Sequence, residues 1–286
     1  MKYNGKFVVI MLCSKCNNKC KHCYVNYSGE FSENELDEII PKLLEKYIVV
    51  LNGTEPILYP NYFKYFKMIG QYKILTNGIA LMNNNELMEQ LKENGITEIG
   101  LSYHFGIHDQ ISMVKTYMLD KLIRQLKENG FTVRLLTSVS KDNCSGIEDY
   151  CKKAIELGAD KIKFTNMIMQ GNAKENIEKE KILDEKEIYS FLNRIENLRT
   201  QYPKNELCIE RCGTFGNSIQ SSNFECLAGQ NMAVITPDKK VYQCVFDISP
   251  NNDIGFLNDK NEIIIDEDKI NYDKSYCKVL KKYNKL

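Results

Sequence analysis

The sequence predicts an α/β fold of six strand–helix units followed by a small, cysteine-rich α+β extension. Three observations carry this. Short β-rich runs alternate with helical patterns through most of the chain. Several helical patterns close on a glycine just before the next strand, the signature of αβ loops. Beyond residue 204 the texture changes to Gly, Cys and short hairpin patterns. Alternation of this kind implies parallel pairing with right-handed crossovers, which an open doubly wound sheet and a partial barrel share.

Each element has its own local signal. Residues 6–11 (KFVVIM) read as the first strand, and residues 32–46 as a helix with Ser32 as N-cap and Glu35 completing a capping box. Residues 47–51 are a strand ending at the turn signal Asn52-Gly53, and residues 72–76 a strand ending at Asn77-Gly78. A helix over 85–94 closes on Gly95 before the strand 98–102, and a helix over 119–129 closes on Gly130 before the strand 131–137. A helix over 147–157 with Gly158 behind it leads to the strand 161–165. Residues 171–204 are charge-rich and helical, with Pro203 as a stop. In the tail, residues 232–236 and 241–244 read as a hairpin turning at Pro237-Asp238, and a lone helix-like segment starts at Ser275. The predicted division is therefore residues 1–204 and residues 205–286.

Composition narrows the function. With 286 residues, 43% hydrophobic and 27% charged, the chain is built to bury a core, so disorder and coiled coil are poor descriptions. Lys+Arg and Asp+Glu both number 38, which leaves no global attraction for nucleic acid or an anionic membrane. No apolar run approaches a membrane span, and the N-terminus lacks a signal-peptide cleavage pattern, so a cytoplasmic protein is expected. Eleven cysteines are the anomaly. An odd count in a long chain without a secretion signal argues against a disulfide framework and for metal or redox chemistry.

Cys16, Cys20 and Cys23 lie within eight residues just after the first strand. Three thiolates from one loop can hold three irons of a cubane cluster and leave the fourth iron to a ligand that is not protein. Zinc is the alternative, with Cys13 as the available fourth thiolate; His22, between Cys20 and Cys23, is poorly placed to turn to the same metal.

This Cys-x3-Cys-x2-Cys loop, with Tyr24 after its last cysteine, resembles the cluster loop of radical S-adenosylmethionine (SAM) enzymes. Further segments agree with that resemblance. Asn52-Gly53-Thr54-Glu55-Pro56 is similar to the family's Gly-Gly-Glu-Pro segment, with Thr54 disturbing the glycine register. Leu75-Thr76-Asn77-Gly78 is similar to its third-strand Thr-Asn-Gly. Leu101-Ser102-Tyr103-His104, with Gly106 and His108-Asp109, resembles its fourth-strand Ser-Leu-Asp-Gly. Gln170-Gly171-Asn172-Ala173 resembles its Gly-Arg-Ala segment.

The resemblance covers residues 7–175 and implies a partial (β/α)6 TIM-like barrel. It also implies a 4Fe–4S cluster on Cys16, Cys20 and Cys23, and SAM contacts from Tyr24, Gly53, Thr54, Glu55, Asn77 and Ser102. Arg134 and Thr137-Ser138 are implied at the ribose. His104 stands where the family usually has Asp. Two readings stay open for it: an acid/base or substrate contact inside the barrel, or a packed histidine with one satisfied nitrogen. His108 reads as fixing a loop and His22 as a loop residue.

A second thiol group occupies the tail. Cys226 and Cys244 frame the predicted hairpin, whose ends a turn would bring together, and Cys212 and Cys277 flank them. Four thiols from separated parts of a small domain suit a buried cluster that supplies a missing core. The order Cys226, Ala228-Gly229, Pro237-Asp238, Val241-Tyr242, Cys244 resembles the C-terminal twitch or SPASM-type extension of some radical SAM enzymes. Lys239 stands where a turn glycine is usual, and the run that ligates a second auxiliary cluster is missing. One auxiliary 4Fe–4S cluster on Cys212, Cys226, Cys244 and Cys277 is implied, with Cys208 as an alternative to Cys212. Buried thiols or zinc are the plainer readings. Cys13, Cys144 and Cys151 read as packing residues.

By this resemblance the reaction is reductive SAM cleavage and then hydrogen abstraction, with peptide or protein modification as the leading substrate class. Oxidation of a small carbohydrate or cyclitol alcohol is the second, and a non-catalytic iron–sulfur electron carrier a third reading from another class. A flavodoxin or ferredoxin would supply electrons. Only 15 residues precede Cys16, too few for a leader-peptide-binding domain, so a separate peptide carrier is an expected partner of a peptide-modifying enzyme.

Overall fold

A computed structural model describes residues 1–212, 226, 228–270, 272, 277 and 279–284. The chain forms two compact units. One comprises Met1–Asn17, Val25–Tyr72 and Glu225–Lys274, the other Asn18–Tyr24, Lys73–Phe224 and Ser275–Leu286.

The first unit is built on strand β1 (Phe7–Met11). It pairs in parallel with β2 (Ile48–Asn52) on one side and β8 (Met232–Ile235) on the other. The sheet then continues through the antiparallel strands β9 (Lys240–Tyr242), β10 (Gly255–Leu257) and β11 (Ile263–Ile265). Apolar residues run the whole length of β1 because both its faces are covered. Val9 and Met11 pack with Val234, Tyr242 and Ile248, while Val8 and Ile10 are fully buried on the opposite face. Helix α1 (Glu33–Leu44) starts with the expected capping box between Ser32 and Glu35 and buries Leu36, Ile39, Ile40 and Leu43. Helix α2 (Tyr62–Met68) is an additional element, rich in aromatic residues and entered through Asn61 at φ +51° without a side-chain cap.

The second unit holds a five-stranded parallel sheet in chain order: β3 (Lys73–Thr76), β4 (Glu98–Ser102), β5 (Thr132–Val139), β6 (Lys161–Asn166) and β7 (Cys208–Arg211). The connecting helices are α3 (Asn85–Glu93), the short α4 (His108–Ile111), α5 (Thr116–Glu128), α6 (Ile147–Glu156), the short α7 (Asn172–Asn176) and α8 (Glu185–Gln201). The glycines after α5 and α6 take left-handed backbone, φ +82° at Gly130 and +78° at Gly158, which is why glycine closes these helices.

The sheet's two faces differ. Val133, Leu135, Thr137 and Val139 alternate on the buried side of β5, with Ile162 and Phe164 beside them on β6. Arg134, Leu136 and Ser138 take the other side, in register with Lys161, Lys163 and Thr165.

The sequence divided the chain at residues 204 and 205; the compact units divide it elsewhere. Strands β8–β11 join β1 and β2 in one sheet, and β7, which its single strongly apolar residue Ile209 hides from periodicity, joins β6. The expected closing helix from Ser275 lies partly outside the described residues; within them, Leu280–Asn284 is a π-helical turn.

The hairpin between β8 and β9 turns at Lys239, which holds φ +61° while its ammonium meets Glu35 at 3.1 Å. A left-handed non-glycine residue costs about 1–2 kcal/mol. Glycine's larger unfolded-state entropy and the loss of an exposed ion pair offset part of that. Lys239→Gly is expected to raise the unfolding free energy by about 0.5 kcal/mol, measured by urea titration; a loss of stability would show that the Glu35 contact outweighs the strain.

Candidate cluster and cofactor site

In the first unit the loop after β1 is tied to the loop after β2. Leu12 N–H donates to Asn52 O (2.7 Å), Thr54 N–H to Cys13 O (3.1 Å) and Glu55 N–H to Lys15 O (3.1 Å). The Tyr27 hydroxyl donates to Cys13 O at 2.7 Å and lies 3.4 Å from Thr54 Oγ1. The backbones approach closely at Gly53: a Cβ there would stand 3.3 Å from Cys13 O, a tight contact that favours glycine. Glu55 is buried, Gly53 and Thr54 are half-buried, and Pro56 opens a single 3-10 turn, Pro56–Leu58. Cys16 is exposed.

The second unit carries the rest of the loop, Asn18–Tyr24. Asn18 donates from Nδ2 to Ser112 Oγ (3.0 Å) and accepts the Met113 N–H (3.2 Å), and Lys21 N–H donates to Ile111 O (2.8 Å). From the other direction, Asn172 Nδ2 donates to Cys20 O and Ala173 N–H to Cys23 O, each at 3.2 Å. Cys20, Cys23 and Tyr24 are half-buried. The loop's backbone carbonyls are thus engaged while its thiols stay at or near the surface, an arrangement that fits thiolate ligation of a cluster.

All three histidines of the chain meet here, which their separation in sequence concealed. The His22 ring stands edge-on to His104 with centroids 4.2 Å apart, and His104 stacks on His108 at 5.3 Å. Ser138 N–H donates to His104 Nδ1 (3.0 Å), and His104 N–H donates to His108 Nδ1 (3.1 Å). His104 is 5% exposed and its Nδ1 accepts one backbone hydrogen bond. Burial lowers the pKa of His22 and of His108 to about 4 and that of His104 well below its usual value, so all three rings are neutral at pH 7.

The other expected residues are spread along the strands. Asn77 is buried at the end of β3, where its Oδ1 accepts the Ile79 N–H at 2.9 Å and shapes the turn. Ser102 ends β4 and is half-buried. Arg134, expected at a ribose, is instead committed to Glu98 (3.0 Å) and Glu210 (3.4 Å) near the start of β5. Cys208 and Cys212 share one side of β7 and its continuation, where Cys212 N–H donates to Phe164 O (2.8 Å).

In the first unit Gly229 N–H donates to Gln243 O (3.2 Å), so the two arms of the hairpin meet beside Cys226 and Cys244. Cys277 is buried in the second unit. Among the described residues no three His, Cys, Asp or Glu side chains converge on a single-ion position. No helix of the described residues is long and apolar enough to cross a membrane.

The His108 imidazole supplies a pH test. Its folded pKa of about 4 lies below the usual 6.5, so the unfolded chain takes the proton first as pH falls. Its stabilisation is complete above the usual value and is lost progressively down to the folded one. The urea midpoint of the metal-free protein is expected to drop between about pH 7 and about pH 5, and His108→Asn to flatten that drop. A flat wild-type profile over this window would exclude a buried neutral His108.

Comparison with known proteins completes the site. Residues 10–140 match the family described as the Radical SAM superfamily. The chain is 25% identical over 185 residues to pre-heme d1 synthase of Dinoroseobacter shibae, covering 59% of this chain and 45% of that protein. It is 29% identical over 165 residues to AlbA of Bacillus subtilis, the antilisterial bacteriocin subtilosin biosynthesis protein, covering 52% and 36%. The chain thus spans less than half the length of these two relatives. The fold matches that of Streptococcus suis SuiB bound to its precursor peptide SuiA, with a TM-score of 0.68, 18% identity, and coverage of 88% of this chain and 62% of that one. A mixed α/β fold with parallel strands, as in the partial TIM-like barrels of such proteins, is therefore the architecture. The superfamily's cofactors are a 4Fe–4S cluster and SAM. Residues 10–140, a little under half of the chain, are thus similar to the Radical SAM superfamily, and the fold is similar to that of SuiB.

Proposed function

We propose that this chain is a radical SAM enzyme that modifies a peptide, with Cys16, Cys20 and Cys23 holding the SAM-binding 4Fe–4S cluster. The observation that carries the reading is the tie between the two loops after β1 and β2. Thr54 and Glu55 donate their backbone N–H groups to Cys13 and Lys15, so the Gly53–Glu55 segment lies against the stem of the thiol loop. A peptide substrate is supported by the likeness to AlbA and to the peptide-bound SuiB. A 4Fe–4S cluster held by Cys16, Cys20 and Cys23 would supply the electron for reductive cleavage of SAM, the chemistry by which hydrogen is taken from an unactivated carbon.

The chain's own residues contribute placement. Gly53 keeps the second loop close, Tyr27 fixes the Cys13 carbonyl, and the carbonyls of Cys20 and Cys23 are anchored by Asn172 and Ala173. Tyr24, Asn77 and Ser102 are the further SAM contacts in this reading.

In the tail, Cys226 and Cys244 flank the point where Gly229 meets Gln243, which supports a twitch-like auxiliary 4Fe–4S cluster completed by Cys277 and by Cys212 or Cys208. Such a cluster would accept the electron left on the substrate. An external electron donor such as a flavodoxin or ferredoxin and a separate peptide carrier are the partners this chemistry calls for. The second reading, a small-molecule substrate, is favoured by the likeness to pre-heme d1 synthase.

Iron counting after anaerobic reconstitution tests both clusters. About eight irons in the wild type and about four after Cys16, Cys20 and Cys23 are all changed to Ala are the expected values. About four falling to near zero would remove the auxiliary cluster from the mechanism. Release of 5′-deoxyadenosine with SAM and dithionite is expected from the wild type only; its absence would favour an electron carrier. Accelerated release with a candidate peptide, against a panel of cyclitol alcohols, separates the two substrate classes.

A further inference from the structure

We propose that Asn284 is a positioning residue for the thiol loop, acting through the segment that joins β6 to α7. This inference rests on the reading of Cys20 and Cys23 as cluster ligands, and on hydrogen bonds that lie entirely within the second unit.

Asn284 is 5% exposed and closes the turn Leu280–Asn284. Its carboxamide grips an irregular stretch of backbone at two points: Nδ2 donates to Met167 O (2.9 Å) and Oδ1 accepts the Met169 N–H (3.3 Å). That two-point contact replaces the ladder that β6 loses as it ends at Asn166. An unpaired buried amide or carbonyl is costly, so this side chain does for residues 167–169 what a neighbouring strand would otherwise do. The stretch it holds is buried as well, with Met167, Ile168 and Gln170 each at 3% exposure.

Immediately beyond the gripped stretch, the chain clamps the thiol loop. Gly171 turns the chain at φ +56°, ψ −138°, a backbone conformation suited to glycine. The next two residues reach the loop, Asn172 through its side chain to Cys20 O and Ala173 through its N–H to Cys23 O. Ala173 is fully buried, so little slack separates grip and clamp. The path from Asn284 to the two ligand carbonyls therefore runs from Met169 through Gln170 and the Gly171 turn to Asn172 and Ala173. Every step along it is a hydrogen bond or a covalent link.

The side chain's two roles can be separated. Asn284→Ala removes both contacts. Asn284→Asp keeps the shape and the acceptor for Met169 but cannot donate to Met167 O. Hydrogen exchange on the metal-free protein reads the mechanical link without any cluster. Faster exchange at the amides of Ala173 and of residues 20–24 in both variants, beyond what any fall in the thermal midpoint accounts for, is the expected result. On the reconstituted protein, iron release to a chelator is expected to be about tenfold faster in Asn284→Ala, with a changed electron paramagnetic resonance signal of the reduced cluster.

Unchanged exchange at residues 20–24 would overturn the proposal. So would iron loss that merely tracks a fall in the thermal midpoint, since Asn284 would then be a general stabilising residue. If the wild type holds no iron that depends on Cys16, Cys20 and Cys23 while the exchange result stands, the function assigned to the loop fails and the mechanical link survives.

Discussion

Strand β1 is hydrogen-bonded on both sides, to β2 and to β8, and is buried on both faces. The thiol loop leaves from the end of this doubly paired strand. Because β1 and β2 run parallel and in register up to Met11 and Asn52, their exits lie side by side. The contacts of Leu12 with Asn52 and of Cys13 with Thr54 continue that pairing beyond the sheet. A parallel sheet places ligands at such carboxyl ends. The pairing of β8 onto β1 matters for the same reason. Had the tail folded apart, β1 would be an edge strand and its end would be held from one side only.

The far part of the loop obeys a different constraint. Residues 18–24 have no regular structure, so each polar backbone group needs an outside partner. Ile111 supplies one and α7 two more, while Met113 N–H holds the Asn18 side chain. The three histidines fill the space behind His22 with neutral rings, and two of them are locked by backbone donors. Stacked imidazoles whose Nδ1 atoms already accept hydrogen bonds do not aim their lone pairs at a common point. Burial is the main cause of the depressed pKa values of these rings.

Much of this was legible in the sequence, and what was not has identifiable causes. The capping box at Ser32, the helix-closing glycines and the apolar runs of β1 to β6 are local signals, and each marked its element to within a few residues. Strand β7 and the short β10 and β11 carry too few alternating residues to show a period, so only their neighbours define them. The pairing of β8 with β1 is a contact between distant segments and leaves no mark in either. The histidine stack and the Asn284 contact are of the same kind. His104 illustrates the limit: its place just after the fourth strand singled it out, but only the backbone donor from Ser138 shows how its nitrogen is used.

Arg134 shows why charge on an expected strand does not by itself identify a ligand contact. Its side chain is 12% exposed and lies against Glu98, which is 4% exposed and also takes the Lys161 ammonium at 2.6 Å. Glu210 meets the same guanidinium from β7. Two cations and two carboxylates thus close among themselves on the side of the sheet opposite its apolar face. Removing one partner of such a set leaves an uncompensated buried charge, which costs far more than the pair contributes. Turning Arg134 to a ribose would break its pairs with Glu98 and Glu210 and leave Glu98 to Lys161 alone. The network sits at the start of β4, β5 and β6, whereas Ser102, Ser138 and Thr165 occupy the same side nearer the strand ends. Charge is neutralised where the strands begin, and hydroxyl groups remain where they end, on the side where parallel sheets receive their ligands.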